Sequence, residues 1–258
     1  MKRINLFILG LSILIGSYSS CYAVPLSDQE VKYVAGEDGA WFTEDDAIYH
    51  FFVNEYDDKG LLSKKMCYKT GPDAAPFTAD DELQDYQAME YADGKLVKEI
   101  SYSAKGTQNY RSVYDYDSDG RKIKMTRYDP EGVIIRRMSF EYDPQNQVIK
   151  DVEYKGPGKD GQWFTPDDEI EKYHAFNYGE KNKLERAMEY HAEHNGQGQD
   201  NIWFTSDDPI FATKEFFYSD DGMLIQEKKY IGAGPDGQWF TGDDLMQYYV
   251  MYHYLMPK

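Results

Sequence analysis

Apolar and aromatic residues recur at every second position in short blocks along most of the chain. Leu62, Lys64, Met66 and Tyr68 form one such row. Leu96, Lys98, Ile100 and Tyr102 form another, and Ile134, Arg136, Met138 and Phe140 a third. The same order of apolar, basic, apolar and aromatic residues returns at Val148–Lys150–Val152–Tyr154 and Leu184–Arg186–Met188–Tyr190. More polar copies run through Lys122–Lys124–Thr126–Tyr128 and Leu224–Gln226–Lys228–Tyr230. Period two predicts β-strand, because successive side chains point to opposite faces of a sheet. Each row starts just after a Gly or Asn (Gly60, Gly94, Gly120, Gly132, Asn146, Asn182, Gly222). Most of these follow a Tyr, often Tyr-Asp, by three or four residues. Gly and Asn accept the positive φ that tight hairpins require. The pattern therefore predicts an all-β chain of roughly a dozen strands. They would form an antiparallel β-meander of repeated hairpins in one twisted or curled sheet, with no significant helix after the signal peptide.

A second repeat is interleaved with the first. It reads GEDGAWFTEDD (36–46), GPDAAPFTADD (71–81), GKDGQWFTPDD (158–168), GQDNIWFTSDD (198–208) and GPDGQWFTGDD (234–244). Five copies mark an array. The hairpins turn at the Tyr-Asp end, and the strands are joined at the other end by these loops or by shorter links such as Ala104-Lys105-Gly106. Each loop gathers acidic groups and a hydroxyl beside sharp turns. The candidate cation ligands are Asp38, Asp45 and Asp46; Asp160, Thr165, Asp167 and Asp168; Asp200, Thr205, Asp207 and Asp208; and Asp236, Thr241, Asp243 and Asp244. Calcium takes six to eight oxygens, and Gly237 can turn the Gln238 carbonyl toward such a cage. The order Asp-Gly-x-apolar-x-x-x-acid also echoes the second half of an EF-hand loop, with Gly232 and Gly234 in place of the first two acidic ligands. That implies modest affinity, roughly 10⁻⁴–10⁻³ M. Turn architecture alone is the competing reading: Asp-Gly is a turn signal, Thr and Asp bond nearby amides, and Trp-Phe would pin the loop to the sheet. The second loop has Ala74-Ala75-Pro76 where the others have Gly-x-Trp or Asn-x-Trp, and it is expected to bind a cation weakly or not at all.

The stretches YDYDSDGRKIKMTRYDPEG (114–132) and FEYDPQNQVIKDVEY (140–154) resemble the YD repeat of the RHS family of bacterial surface and toxin proteins. The resemblance covers most of residues 50–230 and implies a long β-sheet curled into a spiral shell. The acidic loops look like the G-x-D-G-x-F-G-T-x-D-D segments of large secreted bacterial proteins, to which calcium binding is commonly ascribed, with Trp-Phe-Thr replacing Phe-Gly-Thr.

Residues 1–23 read as a secretory signal, with Lys2 and Arg3 ahead of the apolar run Ile4–Ile15 and a small-residue end at Cys21-Tyr22-Ala23. Residues 24–258 then form one repeat domain in a secreted, periplasmic or cell-surface bacterial protein. Lipidation at Cys21 is the alternative route, giving an anchor without a membrane span. The formal charge of −18 argues against nucleic acid and favours divalent cations or basic partners. Lys and Glu on both faces of the strands leave no lipid-facing band for an outer-membrane barrel. Cys67 would be the one free thiol once Cys21 is removed, and no internal disulfide is possible.

No catalytic constellation emerges, and the chain is read as non-enzymatic. His191 and His194 lack the spacing of a metalloprotease helix and read as a surface loop. The working expectation is an exported structural repeat protein with calcium-stiffened loops. It could associate with itself through the terminal strands near Val31–Val34 and Leu245–Tyr254. The alternative is a glycan- or protein-binding module that uses rows of tyrosines (Tyr110, Tyr114, Tyr116, Tyr248, Tyr249, Tyr252, Tyr254) as a platform; the same rows also fit core or cross-strand ladder positions.

Overall fold

The computed structural model describes residues 28–254 apart from Asn195. The signal segment and Cys21 lie outside the described residues. Among these residues fourteen strands follow one another: β1 (Gln29–Val34), β2 (Ala47–Tyr56), β3 (Leu62–Lys69), β4 (Glu82–Ala92), β5 (Lys95–Ser103), β6 (Gln108–Tyr116) and β7 (Lys122–Tyr128). Then come β8 (Ile134–Tyr142), β9 (Val148–Gly156), β10 (Glu169–Tyr178), β11 (Leu184–His191), β12 (Ala212–Tyr218), β13 (Leu224–Tyr230) and β14 (Met246–His253). Among the described residues the only helical segments are two 3₁₀ turns of three residues each, Glu180–Asn182 and Ala192–His194. The chain is all-β and antiparallel throughout, as the period-two rows predict.

The expected curled sheet or shell is corrected in one respect: the meander closes. β1 pairs with β2 on one side and with β14 on the other, from Gln29↔His253 to Tyr33↔Tyr249, making a fourteen-stranded barrel. Neither terminal strand is left as an edge for a second copy to extend. The cause of the curl lies in the register. Eleven of the fourteen pairings shift immediately before a tyrosine: Tyr33, Tyr56, Tyr68, Tyr91, Tyr102, Tyr116, Tyr128, Tyr142, Tyr178, Tyr218 and Tyr230. Each such bulge bends its strand and raises the local twist. Curvature is thus written into the repeat itself.

The tyrosines also stitch the hairpin end. Tyr91 donates its hydroxyl to Leu62 O (3.0 Å), Tyr116 to Leu96 O (2.8 Å) and Tyr142 to Lys122 O (2.8 Å). Tyr178, Tyr218 and Tyr254 donate likewise to Val148, Leu184 and Leu224. Each bond joins a hairpin to its predecessor. The following Asp closes the turn: Asp57 Oδ1 accepts from Lys59 N and Leu61 N, and Asp117 and Asp143 repeat the scheme. One Tyr-Asp turn departs from expectation. Tyr128–Gly132 joins β7 to β8 at the opposite end, where it stands in place of an acidic loop.

Most of the rows that revealed the repeat face outward; the row on β8 faces inward, with Arg136 and Met138 opposite Arg127 and Met125. The inward face carries Glu30, Lys65, Cys67, Glu99, Ser112, Asp151, Glu153, His174, Lys214 and Glu227, and none of these ten is exposed. An interior so rich in charge stands only if its ions are paired. Lys65 meets Glu30 at 2.7 Å, Arg136 meets Glu153 at 2.6 Å and Lys214 meets Glu227 at 2.7 Å. His174 Nδ1 lies 2.7 Å from Asp151, and its Nε2 lies 3.8 Å from Glu189, which Lys172 and Lys229 also approach. Phe176, Leu184, Ala187 and Phe216 add an apolar cluster near the last hairpins. Burial pushes the Cys67 thiol up to about 12, with Asp85 adding to the rise, so the thiol stays protonated and unreactive.

Two predictions follow from this interior and its stitching. Burial alone would lower the pKa of His174, but Asp151 and Glu189 outweigh it and hold the imidazole at about 9 against an ordinary value near 6.5. The folded state therefore keeps a proton that the unfolded chain releases. Its stabilising contribution is full below pH 6.5 and is lost as pH rises toward 9. Denaturant midpoints should fall as pH rises from 6.5 toward 8, where Lys32 and Lys122, their pKa values lowered by burial to about 8, are themselves half titrated. His174→Gln should flatten that slope. Tyr116→Phe should cost about 1 kcal/mol in the same assay, the net worth of one hydrogen bond.

Candidate functional site

Five of the seven connections at one end of the barrel are the acidic loops, between β1 and β2, β3 and β4, β9 and β10, β11 and β12, and β13 and β14. All five fold in one way. The third-position Asp caps a turn: Asp160 Oδ1 accepts from Gln162 N at 2.7 Å, as Asp38, Asp73, Asp200 and Asp236 do from their counterparts. Its own amide donates to the penultimate Asp, as in Asp160 N to Asp167 Oδ2 (3.2 Å). The last Asp accepts from the Phe amide in four loops, as in Phe164 N to Asp168 Oδ2 (2.6 Å). In the second loop Thr78 N takes that place on Asp81. The Phe itself holds a positive φ in every copy, 64° at Phe42, 65° at Phe77, 67° at Phe164, 69° at Phe204 and 70° at Phe240. A bulky residue adopts this region only when its surroundings enforce it.

The opening Gly has a steric reason. A Cβ on Gly158 would lie 2.0 Å from Asp167 O, and one on Gly36, Gly71 or Gly234 would lie 2.2–2.4 Å from the equivalent carbonyl. The fourth position needs positive φ rather than space: Gly39, Gly161 and Gly237 have it, and Ala74 and Asn201 adopt it too (55° and 59°). Asn201 thus substitutes for Gly as its αL tolerance allows.

Most of the candidate ligands converge, loop by loop. The Thr165 hydroxyl has Asp167 Oδ1 at 2.9 Å, Asp168 Oδ1 at 3.1 Å, Gln162 O at 3.4 Å and Asp160 Oδ1 at 3.5 Å. Thr205 faces Ile202 O, Asp207 and Asp208 at 2.7–3.2 Å, and Thr241 faces Gln238 O, Asp243 and Asp244 at 2.7–3.5 Å. In the first loop Thr43 reaches Asp45 Oδ1 at 2.7 Å, while Asp46 turns to the Phe42 amide and Tyr249. The second loop, expected to be defective, keeps the arrangement through Asp73, Ala75 O, Thr78 and Asp80. The Asp200, Asp207 and Asp208 carboxylates each place an oxygen within 4.8 Å of the others. Thr hydroxyls and loop amides hold Asp45, Asp80, Asp167, Asp207 and Asp243 below the usual carboxylate range, so these groups stay ionised.

Sequence reasoning missed how the loops attach. They fold back over the outer face of the barrel. Phe42 packs on Tyr249 of β14 and under Lys228 of β13, while Tyr249 donates to Asp46 at 2.9 Å. Phe204 packs on Tyr173 of β10 and Lys150 of β9, and Tyr173 donates to Asp208 at 2.7 Å. Phe164 meets Arg137 of β8 and Lys124 of β7, and Phe240 meets Arg186 of β11. Phe77 packs on Phe51 of β2. Each cation lies over an aromatic face, worth about 0.5–2 kcal/mol. The signal was present in the rows: a basic residue recurs at one position of the odd-numbered strands from β3 to β11 (Lys64, Lys98, Lys124, Lys150, Arg186).

The other candidates disperse. Tyr110, Tyr114, Tyr248 and Tyr252 lie on the inward face, Tyr116 and Tyr254 bond carbonyls at the hairpin end, and Tyr249 faces outward, so the seven tyrosines form no common platform. His191 and His194 pack on Phe211, and His191 Nε2 lies 2.6 Å from Glu189.

No family model and no curated protein matches the chain. Similar solved structures include a porin-like protein from Bacteroides uniformis, 15% identical, covering 90% of this chain and 98% of that one with a TM-score of 0.45. A TcdB2-TccC3-Cdc42 structure is 15% identical over 88% of this chain and 11% of that chain, with a TM-score of 0.28. A protein of unknown function from Bacteroides fragilis is 14% identical over 64% of this chain and 92% of that one, with a TM-score of 0.24. Scores this low carry no inference about activity or location.

The loop geometry separates two kinds of glycine. Gly158→Ala should cost about 2 kcal/mol or more, since a methyl would be driven into backbone. Gly161→Ala meets open space and should cost only the φ penalty of about 1 kcal/mol. Chemical denaturation of the two variants checks the order.

Proposed function

We propose that the chain is an exported, non-enzymatic structural barrel built from RHS/YD-like hairpins, whose acidic loops are stiffened by calcium in a secreted, periplasmic or cell-surface setting. The observation that carries this reading is the surplus of acceptors around the loop threonines. Thr165 has one proton to donate and four acceptor oxygens within 3.5 Å. At most one of these contacts is satisfied by the hydroxyl, and the others set lone pairs against lone pairs. A hard cation turns the same crowding into a ligand shell, and the donor set of carboxylates, a carbonyl and a hydroxyl suits calcium. In such a loop Asp160, the Gln162 carbonyl, Thr165, Asp167 and Asp168 would hold the ion. The ion would neutralise the paired carboxylates and fix the Phe that clamps the loop to the barrel.

The outer surface supports a barrel that meets water. Lys98 pairs with Glu90 at 2.7 Å and Lys150 with Glu141 at 2.9 Å, and Lys64, Arg111 and Lys124 share that face. A lysine or arginine facing lipid at the bilayer midplane costs about 2–4 kcal/mol.

Calorimetry tests the calcium reading. At tenfold excess over its dissociation constant, each occupied site adds about 1.4 kcal/mol, so excess calcium should raise the melting temperature and a chelator reverse it. Asp167→Asn combined with Thr165→Val should remove one loop's share. Terbium emission sensitised by the loop tryptophans gives a direct readout of occupancy, and the double variant should lower it by the share of Trp163. Identical melts in calcium and in chelator, with no terbium emission, would sink the idea.

A further inference from the structure

The loops tile the outer face in a regular way, and the tiling has a gap. Four of the five loops, each leaving an odd strand for the following even one, place their Phe against a basic residue on the odd strand before: Phe164 on Lys124 of β7, Phe204 on Lys150 of β9, Phe240 on Arg186 of β11 and Phe42 on Lys228 of β13, while the loop after β3 sets Phe77 on Phe51 of β2. The connections β5–β6 (Ala104-Lys105-Gly106) and β7–β8 (Asp129–Gly132) are short turns instead. By the same rule they would have covered β3 and β5. Both strands nevertheless keep the basic residue, Lys64 and Lys98, at the repeat position held elsewhere by Lys124, Lys150 and Arg186.

Burial records the gap independently. Beneath the loops, outward-facing Val31, Phe51, Val152 and Thr213 are 1–2% exposed. Across β4 to β8 the outward-facing residues stay partly open, as at Tyr86, Ala88, Ile100, Tyr102, Val113 and Thr126, with Leu96 at the hairpin end the buried exception. Lys64 rests on Tyr86 at 4.5 Å and Arg111 on Tyr128 at 4.7 Å, while Lys98 is held by Glu90. This panel gathers Lys64, Lys98, Lys105 and Arg111 on a chain whose net charge is −18.

We infer that the open panel over β3 to β6 is a docking surface for another protein, through a turn that presents an aromatic residue followed by carboxylates. The chemistry is the one this molecule already uses on itself four times, an aromatic ring set on a half-buried cation with acidic groups close behind. The basic, aromatic panel complements such a segment in charge and in shape. Its own five loops are not free to supply it, since each Phe is engaged elsewhere. The inference does not depend on ion binding by the loops.

The probe is a head-to-tail cyclised peptide of sequence GPDGQWFTGDD, titrated at fixed calcium into isotope-labelled full chain and followed by amide shifts. Saturable shifts confined to β3–β6 are expected. Binding should weaken at least tenfold in Lys64→Ala/Lys98→Ala, hold in Lys59→Ala at the far end, and vanish for the peptide with Phe→Ala. Near-UV dichroism and the melt of the double variant check its fold, and Lys64→Gln/Lys98→Gln serves if the alanines unfold it. The proposal is overturned if the peptide fails to bind up to millimolar concentration, or if binding ignores the two lysines. It is equally overturned if the chain sediments as a dimer that the double variant dissociates, because a second copy then covers the panel.

Discussion

Closure of the backbone hydrogen-bond ring between β1 and β14 is the constraint on which the remaining structure depends. An open meander can leave both faces wet. A closed one must put one face inside, and here that face carries Glu99, Asp151, Glu153, His174, Lys214 and Glu227. Once enclosed, these groups are stable only as pairs, because a lone buried charge costs several kcal/mol. The ion pairs are therefore a consequence of closure more than a cause of it. What drives closure is the bulge before each repeat tyrosine, which bends every hairpin the same way, and the tyrosine hydroxyl that fastens each hairpin to the one before. Tyr254 continues that stitching on the last strand, bonding Leu224 O at 2.8 Å.

The seam receives one more fastening. Tyr249 on β14 stacks on Tyr33 of β1, carries Phe42 of the first loop and donates to Asp46. Residues 203 positions apart in sequence are thus held by a short hydrogen bond. The first loop acts on the β1–β14 join as the fourth acts through Asp208 on Tyr173 within the meander. Loops that look like decoration at the rim tie adjacent hairpins together from outside, while the charge pairs tie them from inside.

Strand content, antiparallel order and the two classes of turn were legible because they rest on local chemistry: Gly60 or Asn146 at positive φ, alternation at Leu62–Tyr68, Asp57 closing its own turn. Closure was not legible. Period-two reading treats Tyr68 as one more step along the row, whereas the register slips at that residue. Which face turns inward was hidden for a related reason. The rows with the clearest pattern, such as Leu184–Tyr190, are clear because they must receive a loop, and the inward residues between them are polar and irregular. Tyr128-Asp129 misled in the opposite sense: its local sequence suits a hairpin, and nothing local states at which end of the barrel the hairpin falls. The ligands of each loop were legible from spacing alone, save that Asp46 answers to Tyr249, a partner no local pattern could name.

The second loop bears on how the acidic segments should be understood. It lacks Trp and has Ala74-Ala75-Pro76, yet Phe77 keeps its positive φ and Asp73, Thr78 and Asp80 keep their places. The fourth-position Gly and the Trp are therefore not what shapes the loop. The carboxylates and the opening glycine are, since they occur in all five copies and each has a backbone amide or carbonyl to meet. Turn architecture and cation binding then cease to be rivals. In a loop folded by carboxylates around its own amides, the penultimate Asp spends one oxygen on the fold and turns the other toward the threonine, as Asp167 does, so that several acceptors crowd a single hydroxyl. Folding of this kind creates the oxygen cage as a by-product, and a cation that enters it relieves the repulsion the fold itself has built.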